Sequence, residues 1–272
     1  MKNAKAIVLA AGQGKRMGSA VPKQFLELDG KPLLYYSLEC FEQSDLISEI
    51  ILVTGKDAIP FCWRMVEKYG FQKVKYVVPG GKERYDSVYE GLKACEACDI
   101  VFIHDGARPF PDGKMLERTM EAADKYGACV AAVPTKDTMK VGNAEGIVER
   151  TLDRKTLWNV QTPQVFRYDL ICQAHREIRK GSMEGVTDDS MIVETLGICP
   201  VKLVMGSYDN IKVTTPEDLV IAADAGYRTC RELGIAPPRL LLAGDPGSGA
   251  GSRAIYAWLE QNLTGIAPAG LT

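Results

Sequence analysis

The stretch IVLAAGQGKRMGSAVPKQF, residues 7–25, sets the reading of the whole chain. An apolar, strand-forming run ends abruptly at Gly12 and Gly14, and the cations Lys15 and Arg16 follow, then Pro22 and Lys23. A strand that ends in glycines lets backbone N–H groups approach a phosphate, because no Cβ stands in the way. Cations placed behind it neutralise what the backbone cannot, so the segment reads as a triphosphate cradle. A glycine turn alone would serve only to reverse the chain; the cations and the proline-fixed lysine are what point to a ligand. Two familiar cradles are excluded. GxxxxGK[ST] is absent, and Met17 stands where GxGxxG needs its third glycine.

Further apolar runs recur at 49–54 (EIILVT), 75–79 (KYVVP), 100–105 (IVFIHD) and 128–134 (ACVAAVP). Each is apolar on nearly every residue, as strands covered on both faces must be. Helical spacing fills 32–43, 57–69, 83–95 and 112–126, with Asp57 and Asp112 near the starts and Gly70 and Gly127 near the ends. The alternation predicts an α/β, Rossmann-like, doubly wound and mostly parallel sheet, whose ligands bind at the carboxyl ends of the strands. The polar residues follow that rule: the loop at 12–23, Gly80-Gly81 before Arg84 and Ser87, and Asp105-Gly106-Ala107-Arg108-Pro109 all come just after strands.

Residues 136–157 break the alternation and read as a projecting β-hairpin arm, two short strands joined by a Gly-Asn turn. The chain returns through WNVQTPQVF to helices at 168–180 and 187–196, a strand near 201–205, and SYDNIKVTTPEDL, where Thr215-Pro216-Glu217-Asp218 reads as a helix start. We expect one domain over 1–236. The segment 237–272 opens on two prolines and holds a Gly/Ser cluster; it reads as a tail with a short helix at 253–262, or as a second phosphate loop that lacks the necessary lysine.

A formal charge of −2 argues against a nucleic-acid surface, and no apolar run is long enough to span a bilayer, so neither partner is expected. The N-terminal apolar run leads into phosphate-loop chemistry rather than a cleavage site, which predicts a cytoplasmic protein. The eight cysteines suit reduced thiols. Cys95 and Cys98 form a CxxC, but with no second pair and late in a predicted helix they read as a helical core pair rather than a redox or zinc site. His104 and His175 are the only histidines, so a His-rich metal site is excluded.

Asp105, at the end of a buried strand, is where a Mg²⁺ ligand belongs, and Asp209 would be a second carboxylate; both positions also suit turn-forming aspartates. No histidine base or carboxylate pair is evident. A reaction with an already ionised nucleophile needs neither: a phosphate monoester attacks an α-phosphorus and pyrophosphate leaves. Such chemistry needs positioning and positive charge. Arg16, Lys23, Arg84, Arg108, Arg154 and Lys212 are available, although each alone also reads as a surface charge.

LAAGQGKRM…PKQ, DGARP, DTMK, LDRKTLW…QTPQ and DNIKVTTPEDL, in this order and spacing over roughly residues 4–230, resemble the 2-C-methyl-D-erythritol 4-phosphate cytidylyltransferase family of the non-mevalonate isoprenoid pathway. The resemblance implies a Rossmann-like homodimer that condenses CTP with the sugar-alcohol phosphate in the presence of Mg²⁺. It implies that Arg16 and Lys23 stabilise the transition state, and that Ala10, Ala11, Gly12 and Gly14 line the triphosphate and base. It places Gly81 and Ser87 near cytosine, and Asp105 on metal and nucleotide with Ala107 beside it. Arg108, Thr162 and Lys212 would bind the sugar phosphate, joined by Thr138 and Arg154 from the partner's arm; Arg154 and Lys212 would aim the attacking phosphate. Lys82 stands where some relatives carry a carboxylate, so no nucleotide contact is expected of its side chain. The rival readings are a ribitol-5-phosphate cytidylyltransferase and a non-catalytic nucleotide-binding regulator; retention of both Arg16 and Lys23 argues against the latter.

Overall fold

Apolar runs and helical stretches fall where their patterns place them. A computed structural model describes residues 2–12, 21–28, 30–181, 185–215, 218 and 222. Gly14, Arg16 and the segment 237–272 lie outside the described residues. In chain order the elements are β1 (Ala4–Ala10), β2 (Glu27–Leu28), β3 (Lys31–Pro32), α1 (Leu33–Gln43), β4 (Ile47–Thr54), α2 (Ile59–Tyr69), β5 (Val74–Pro79) and α3 (Arg84–Ala94). They continue with β6 (Ile100–Asp105), α4 (Gly113–Tyr126), β7 (Ala128–Pro134), β8 (Lys140–Gly142), β9 (Val148–Thr151), β10 (Trp158–Arg167), α5 (Tyr168–Ile178), α6 (Asp189–Thr195) and β11 (Val201–Met205).

The main sheet has seven strands in the order β11-β7-β10-β6-β1-β4-β5. All run parallel except β10, which pairs antiparallel with both β6 and β7. Successive side chains on a strand face opposite ways, and both faces are filled. Along β1, Ala6, Val8 and Ala10 pack with Leu38 and Phe41 of α1, Met65 of α2 and Leu116 of α4. Ile7 turns to the other face and meets Val88 and Leu92 of α3, Ile171 of α5 and Ile192 of α6. Each of the larger side chains among them, fully buried, contributes roughly 1.5–3 kcal/mol relative to exposure.

WNVQTPQVF is the strand that reverses direction. A chain leaving β7 through a hairpin arm has no crossover helix to turn it round, so it must come back antiparallel. It enters the sheet between β6 and β7, and its Thr162–Pro163 peptide is cis.

Three local expectations change. Asp57 does not cap α2: it lies in the 3₁₀ turn Lys56–Ala58, and α2 begins at Ile59-Pro60 with no side-chain cap. Asp112 does cap α4, accepting the Met115 N–H at 2.7 Å. The arm does not turn on Gly142-Asn143 alone; β8 and β9 are joined through 143–147, where Asn143 Oδ1 accepts the Glu145 and Ile147 N–H groups and Gly146 takes the positive φ of 79°. Cys98 is not helical. Cys95 caps the end of α3, and Cys98 lies in the loop before β6. The helix start expected at 215–218 falls partly outside the described residues, where the Asp218 carboxylate accepts the Thr214 and Thr215 N–H groups.

Candidate active site

β1 and β6 end side by side, β5 ends one strand further along beyond β4, and the loops that leave all three surround a cleft of about 620 Å³, within the range of small-molecule sites. Its walls include Ala11, Gly12, Lys23, Gly81, Ser87, Asp105, Ala107 and Lys212, eight of the residues expected at the site. Arg84, Lys82, Glu83, Gln24 and Leu9 complete the lining. Four cations face two carboxylates there, so the cleft is set for an anionic ligand.

The walls meet because small residues allow it. A Cβ on Gly80 would lie 2.5 Å from Ala11 Cβ and 2.7 Å from Ser87 Oγ; one on Gly81 would lie 2.3 Å from Asp86 Cβ. Only glycines bring the β5–α3 loop this close to the end of β1. Ser87 Oγ then accepts the Gly81 N–H at 3.2 Å and donates to the Glu83 carbonyl at 3.2 Å. Gln24, only 3% exposed, draws the other loop shut: its Nε2 donates to the Ala10 carbonyl at 2.5 Å and to the Gly12 carbonyl at 3.1 Å. Ala10 itself lies beneath the cleft, and its carbonyl is thereby taken up.

Asp105 is the electrostatic centre. Arg84 Nε reaches its Oδ1 at 3.1 Å, and Lys212 Nζ reaches its Oδ2 at 2.7 Å. Burial alone would raise the pKa of this carboxyl; Arg84, Lys212 and Arg108 outweigh it and hold it well below the ordinary carboxylate range. Arg84 is shared. Its Nη1 meets Asp189 Oδ2 at 2.7 Å, and His175 Nε2 lies 3.4 Å from Asp189 Oδ1. Asp189 has no exposed surface, and burial that would raise its pKa is overcome chiefly by Arg84. Arg84 Nη2 is a buried donor without a hydrogen-bond partner.

A neutral chain supports the same carboxylate from behind. The Asp105 N–H donates to Thr162 Oγ1 at 3.0 Å, so the Thr162 hydroxyl proton turns to His104 Nδ1 at 3.1 Å. His104 Nε2–H then donates to the Arg108 carbonyl at 3.0 Å. The neutral tautomer with the proton on Nε2 satisfies both ring nitrogens. Burial agrees with this, lowering the pKa from 6.5 to about 4.

The segment after β11 is pinned so that Lys212 faces Asp105. Asn210 Nδ2 donates to the Thr162 carbonyl at 2.8 Å, Gln161 Nε2 to the Ser207 carbonyl at 2.7 Å, and the Val213 N–H to the Ala107 carbonyl at 2.9 Å. Arg108 Nη1 donates to the Asn210 carbonyl at 2.7 Å, which makes this arginine a brace for that segment. Asp209 sits half-buried in the same turn and is not on the cleft wall. Thr138 and Arg154 are exposed at the base of the arm, where Arg154 Nη1 donates to the Lys136 carbonyl at 3.0 Å. Neither lines the cleft of its own chain.

Sequence reasoning missed Gln24, Asp189, His175, His104 and Asn210 as supports. Gln24 was legible in PKQ, and Asn210 in DNIK. Nothing in the sequence joins Arg84 to Asp189, 105 residues away.

The family model described as 2-C-methyl-D-erythritol 4-phosphate cytidylyltransferase matches residues 4–225. The chain is 48% identical over 218 residues to the protein of that name from Lachnospira eligens, covering 80% of this chain and 96% of the relative. It is 48% identical over 228 residues to the one from Alkaliphilus oremlandii, covering 83% and 95%. The crystal structure of 4-diphosphocytidyl-2C-methyl-D-erythritol synthase from Anaerococcus prevotii is similar with a TM-score of 0.73 and 36% identity, covering 81% of this chain and 94% of that one. The cytidylyltransferase structure from Thermus thermophilus gives 0.66 and 32%, covering 82% and 97%.

The neutral His104 has a measurable consequence. Between about 6.5 and about 4 the unfolded chain binds a proton that the folded one does not, so stability falls as the pH drops through that window and is fully present above it. We expect a loss of about 3 kcal/mol from this group across the window. Urea unfolding of the wild type and His104→Gln at a series of pH values checks it. The variant lacks that increment; identical pH dependence in the two proteins would refute the assignment.

Proposed function

Because the chain belongs to the 2-C-methyl-D-erythritol 4-phosphate cytidylyltransferase family, we infer that the cleft at the carboxyl ends of β1, β5 and β6 is where CTP and the sugar-alcohol phosphate meet. The chain is a CTP-dependent nucleotidyltransferase. It joins the two substrates into 4-diphosphocytidyl-2-C-methyl-D-erythritol and releases pyrophosphate. Ribitol phosphate as acceptor and a purely regulatory role are both disfavoured by these relatives. The observation that carries the assignment of the site is the convergence of Gly12, Lys23, Gly81, Asp105 and Lys212 on one cleft.

A phosphate monoester is already largely dianionic near neutral pH. Its oxygen attacks the α-phosphorus of CTP, a new O–P bond forms, and the bond to the β-phosphate oxygen breaks with pyrophosphate as leaving group. No proton has to be removed, so the protein's task is to hold two anions together and to stabilise the charge of the transition state. We assign that task to Arg16 and Lys23 at the α-phosphate and to Lys212 and Arg154 on the attacking phosphate. Ala11, Gly12 and Gly14 line the triphosphate with Ala10 supporting them from beneath, and Gly81 and Ser87 face the base. Thr162 acts on the sugar phosphate by fixing Asp105 and Lys212, and Arg108 by bracing the loop that carries Lys212.

The residues present suit a Mg²⁺ ion that arrives with the nucleotide. Mg²⁺ takes one or two carboxylates together with phosphate oxygens and water rather than an all-protein cage, and Asp105 puts one carboxylate on the cleft wall. We therefore assign the metal to Asp105, whose two oxygens each retain a lone pair beyond their ion pairs; Asp209 lies off that wall. When bound, the ion would neutralise charge on the phosphate oxygens.

We also propose that the arm serves a second copy of the chain. It exposes Met139 (42%), Ile147 (63%) and Val148 (56%), apolar surface that a partner would cover, and it holds Thr138 and Arg154 away from its own cleft. Residues 1–236 form the catalytic unit in this reading. No helix among the described residues is long and apolar enough to cross a membrane, which supports our placement of the reaction in the cytoplasm.

Pyrophosphate release is the direct assay. Of the four nucleoside triphosphates paired with methylerythritol phosphate or ribitol phosphate, only CTP with methylerythritol phosphate should turn over at a high rate. Faster turnover with ribitol phosphate, or none with any pair, would overturn the reading.

Lys23→Ala should lower kcat about 10²-fold with a smaller effect on the KM for CTP. Arg154→Ala should be similarly impaired. Co-expressed, the two variants should form mixed dimers that regain activity, since one site per dimer then has both residues. Mixed dimers no more active than either parent would rule out sharing of the arm.

A further inference from the structure

A second cavity, of about 590 Å³, opens at the opposite edge of the sheet, where β1 and β6 begin and β10 ends. Its walls include Cys98, Cys172 and Tyr168, with the cations Lys2, Arg167 and Arg176 around them. The catalytic cleft uses none of these residues. Cys98 is half-buried on this wall, and Cys95 lies behind it, 3% exposed, with the two sulfurs 4.0 Å apart. Cys95 is fixed by its place at the end of α3, where its N–H donates to the Gly91 carbonyl at 2.9 Å. Tyr168 Oη donates to the Cys95 carbonyl at 2.8 Å. The ammonium of Lys5, itself buried and paired with Glu49 at 2.8 Å, belongs to the same cluster.

We propose that Cys98 and Cys95 form a peroxide-reactive dithiol, with Cys98 as the attacking sulfur and Cys95 as the resolving one. Three observations carry it. The sulfurs need to close only the gap from 4.0 Å to a bond, the spacing of three residues lets a short loop do so, and the residue of one sulfur lines an open cavity while that of the other does not. Hydrogen bonding from the Cys95 thiol, then the nearby Lys5 ammonium and backbone N–H, hold the Cys98 thiol below its ordinary range; Cys95 is pushed up. The Ile100 carbonyl, 3.3 Å from the Cys98 sulfur, accepts its proton when the thiol is neutral.

The chemistry balances with hydrogen peroxide as oxidant. The Cys98 sulfur attacks one peroxide oxygen, the O–O bond breaks, and the second oxygen leaves as water, giving a sulfenic acid. The Cys95 thiol then attacks that sulfur; an S–S bond forms, the S–O bond breaks, and a second water leaves. Two thiols lose two electrons and two protons overall, and a dithiol reductant reverses the change. The disulfide would close at one end of the helix whose other end carries Arg84.

Mass spectrometry of the whole protein, oxidised with hydrogen peroxide and then alkylated after unfolding, tests this. Trypsin yields a peptide spanning 94–114 with Cys95 and Cys98 as its only cysteines. That peptide should become about 2 Da lighter and lose both alkyl labels before the other cysteine peptides change, and dithiothreitol should restore it. In Cys95→Ser, dimedone should trap a sulfenic acid at residue 98; in Cys98→Ser it should trap none at residue 95. If the wild-type peptide keeps both labels while other cysteines oxidise, or if Cys98 runs on to a sulfinic acid without a disulfide, the proposal fails.

Discussion

A carboxylate buried at the end of a central strand and kept ionised by two cations is the constraint on which the site rests. Asp105 terminates β6 with 11% of its side chain exposed, and it meets Arg84 and Lys212 at 3.1 and 2.7 Å. An uncompensated charge so placed would be expelled or neutralised. The two cations come from residues far apart in the chain, one opening α3 and the other in the segment after β11. Satisfying Asp105 therefore draws both of those segments to the sheet edge. Asp189 extends the logic by holding Arg84 from its other side, which fixes the guanidinium between two carboxylates.

Function follows from where this leaves the free valences. Lys212 remains 38% exposed although it is paired, and Lys23 lines the same cleft. Positive charge thus lines a space whose floor is backbone and small side chains, fit for phosphates rather than for an apolar guest. The neutral Asp105–Thr162–His104–Arg108 chain adds rigidity without adding charge. Preorganisation of this kind matters most for a reaction with no proton to move, because the placement of cations is then nearly the whole of the catalysis.

Much of this was legible in the residues. The strands can be read because each is apolar at almost every position, and the rule that ligands gather at strand ends then points to Gly12, Gly81 and Asp105 from the sequence alone. The reversed strand β10 was not legible: its composition suits either direction, and only the absence of a crossover helix after β7 decides. Nor were the ties that complete the site. Arg84, Asp189 and His175 meet only after α3, α5 and α6 have packed on one face of the sheet, and no local pattern encodes that. The CxxC misled for a related reason. Helical spacing runs up to Cys95, but α3 stops there, and the two residues after it swing Cys98 to the surface of a different cavity. The motif PKQ is visible in the sequence, yet the role of Gln24 as the clasp on the Ala10 and Gly12 carbonyls emerges only once the loop after β1 has folded back over it.

The most direct measurement is a ¹³C NMR titration of the Asp105 side-chain carboxyl in the ligand-free protein. Held by Arg84 and Lys212, it should stay ionised through the ordinary carboxylate range and show no step near 3.8 while the fold persists. A titration midpoint at or above that ordinary value would mean that the two cations do not hold the carboxylate, and the organisation of the site described above would be wrong.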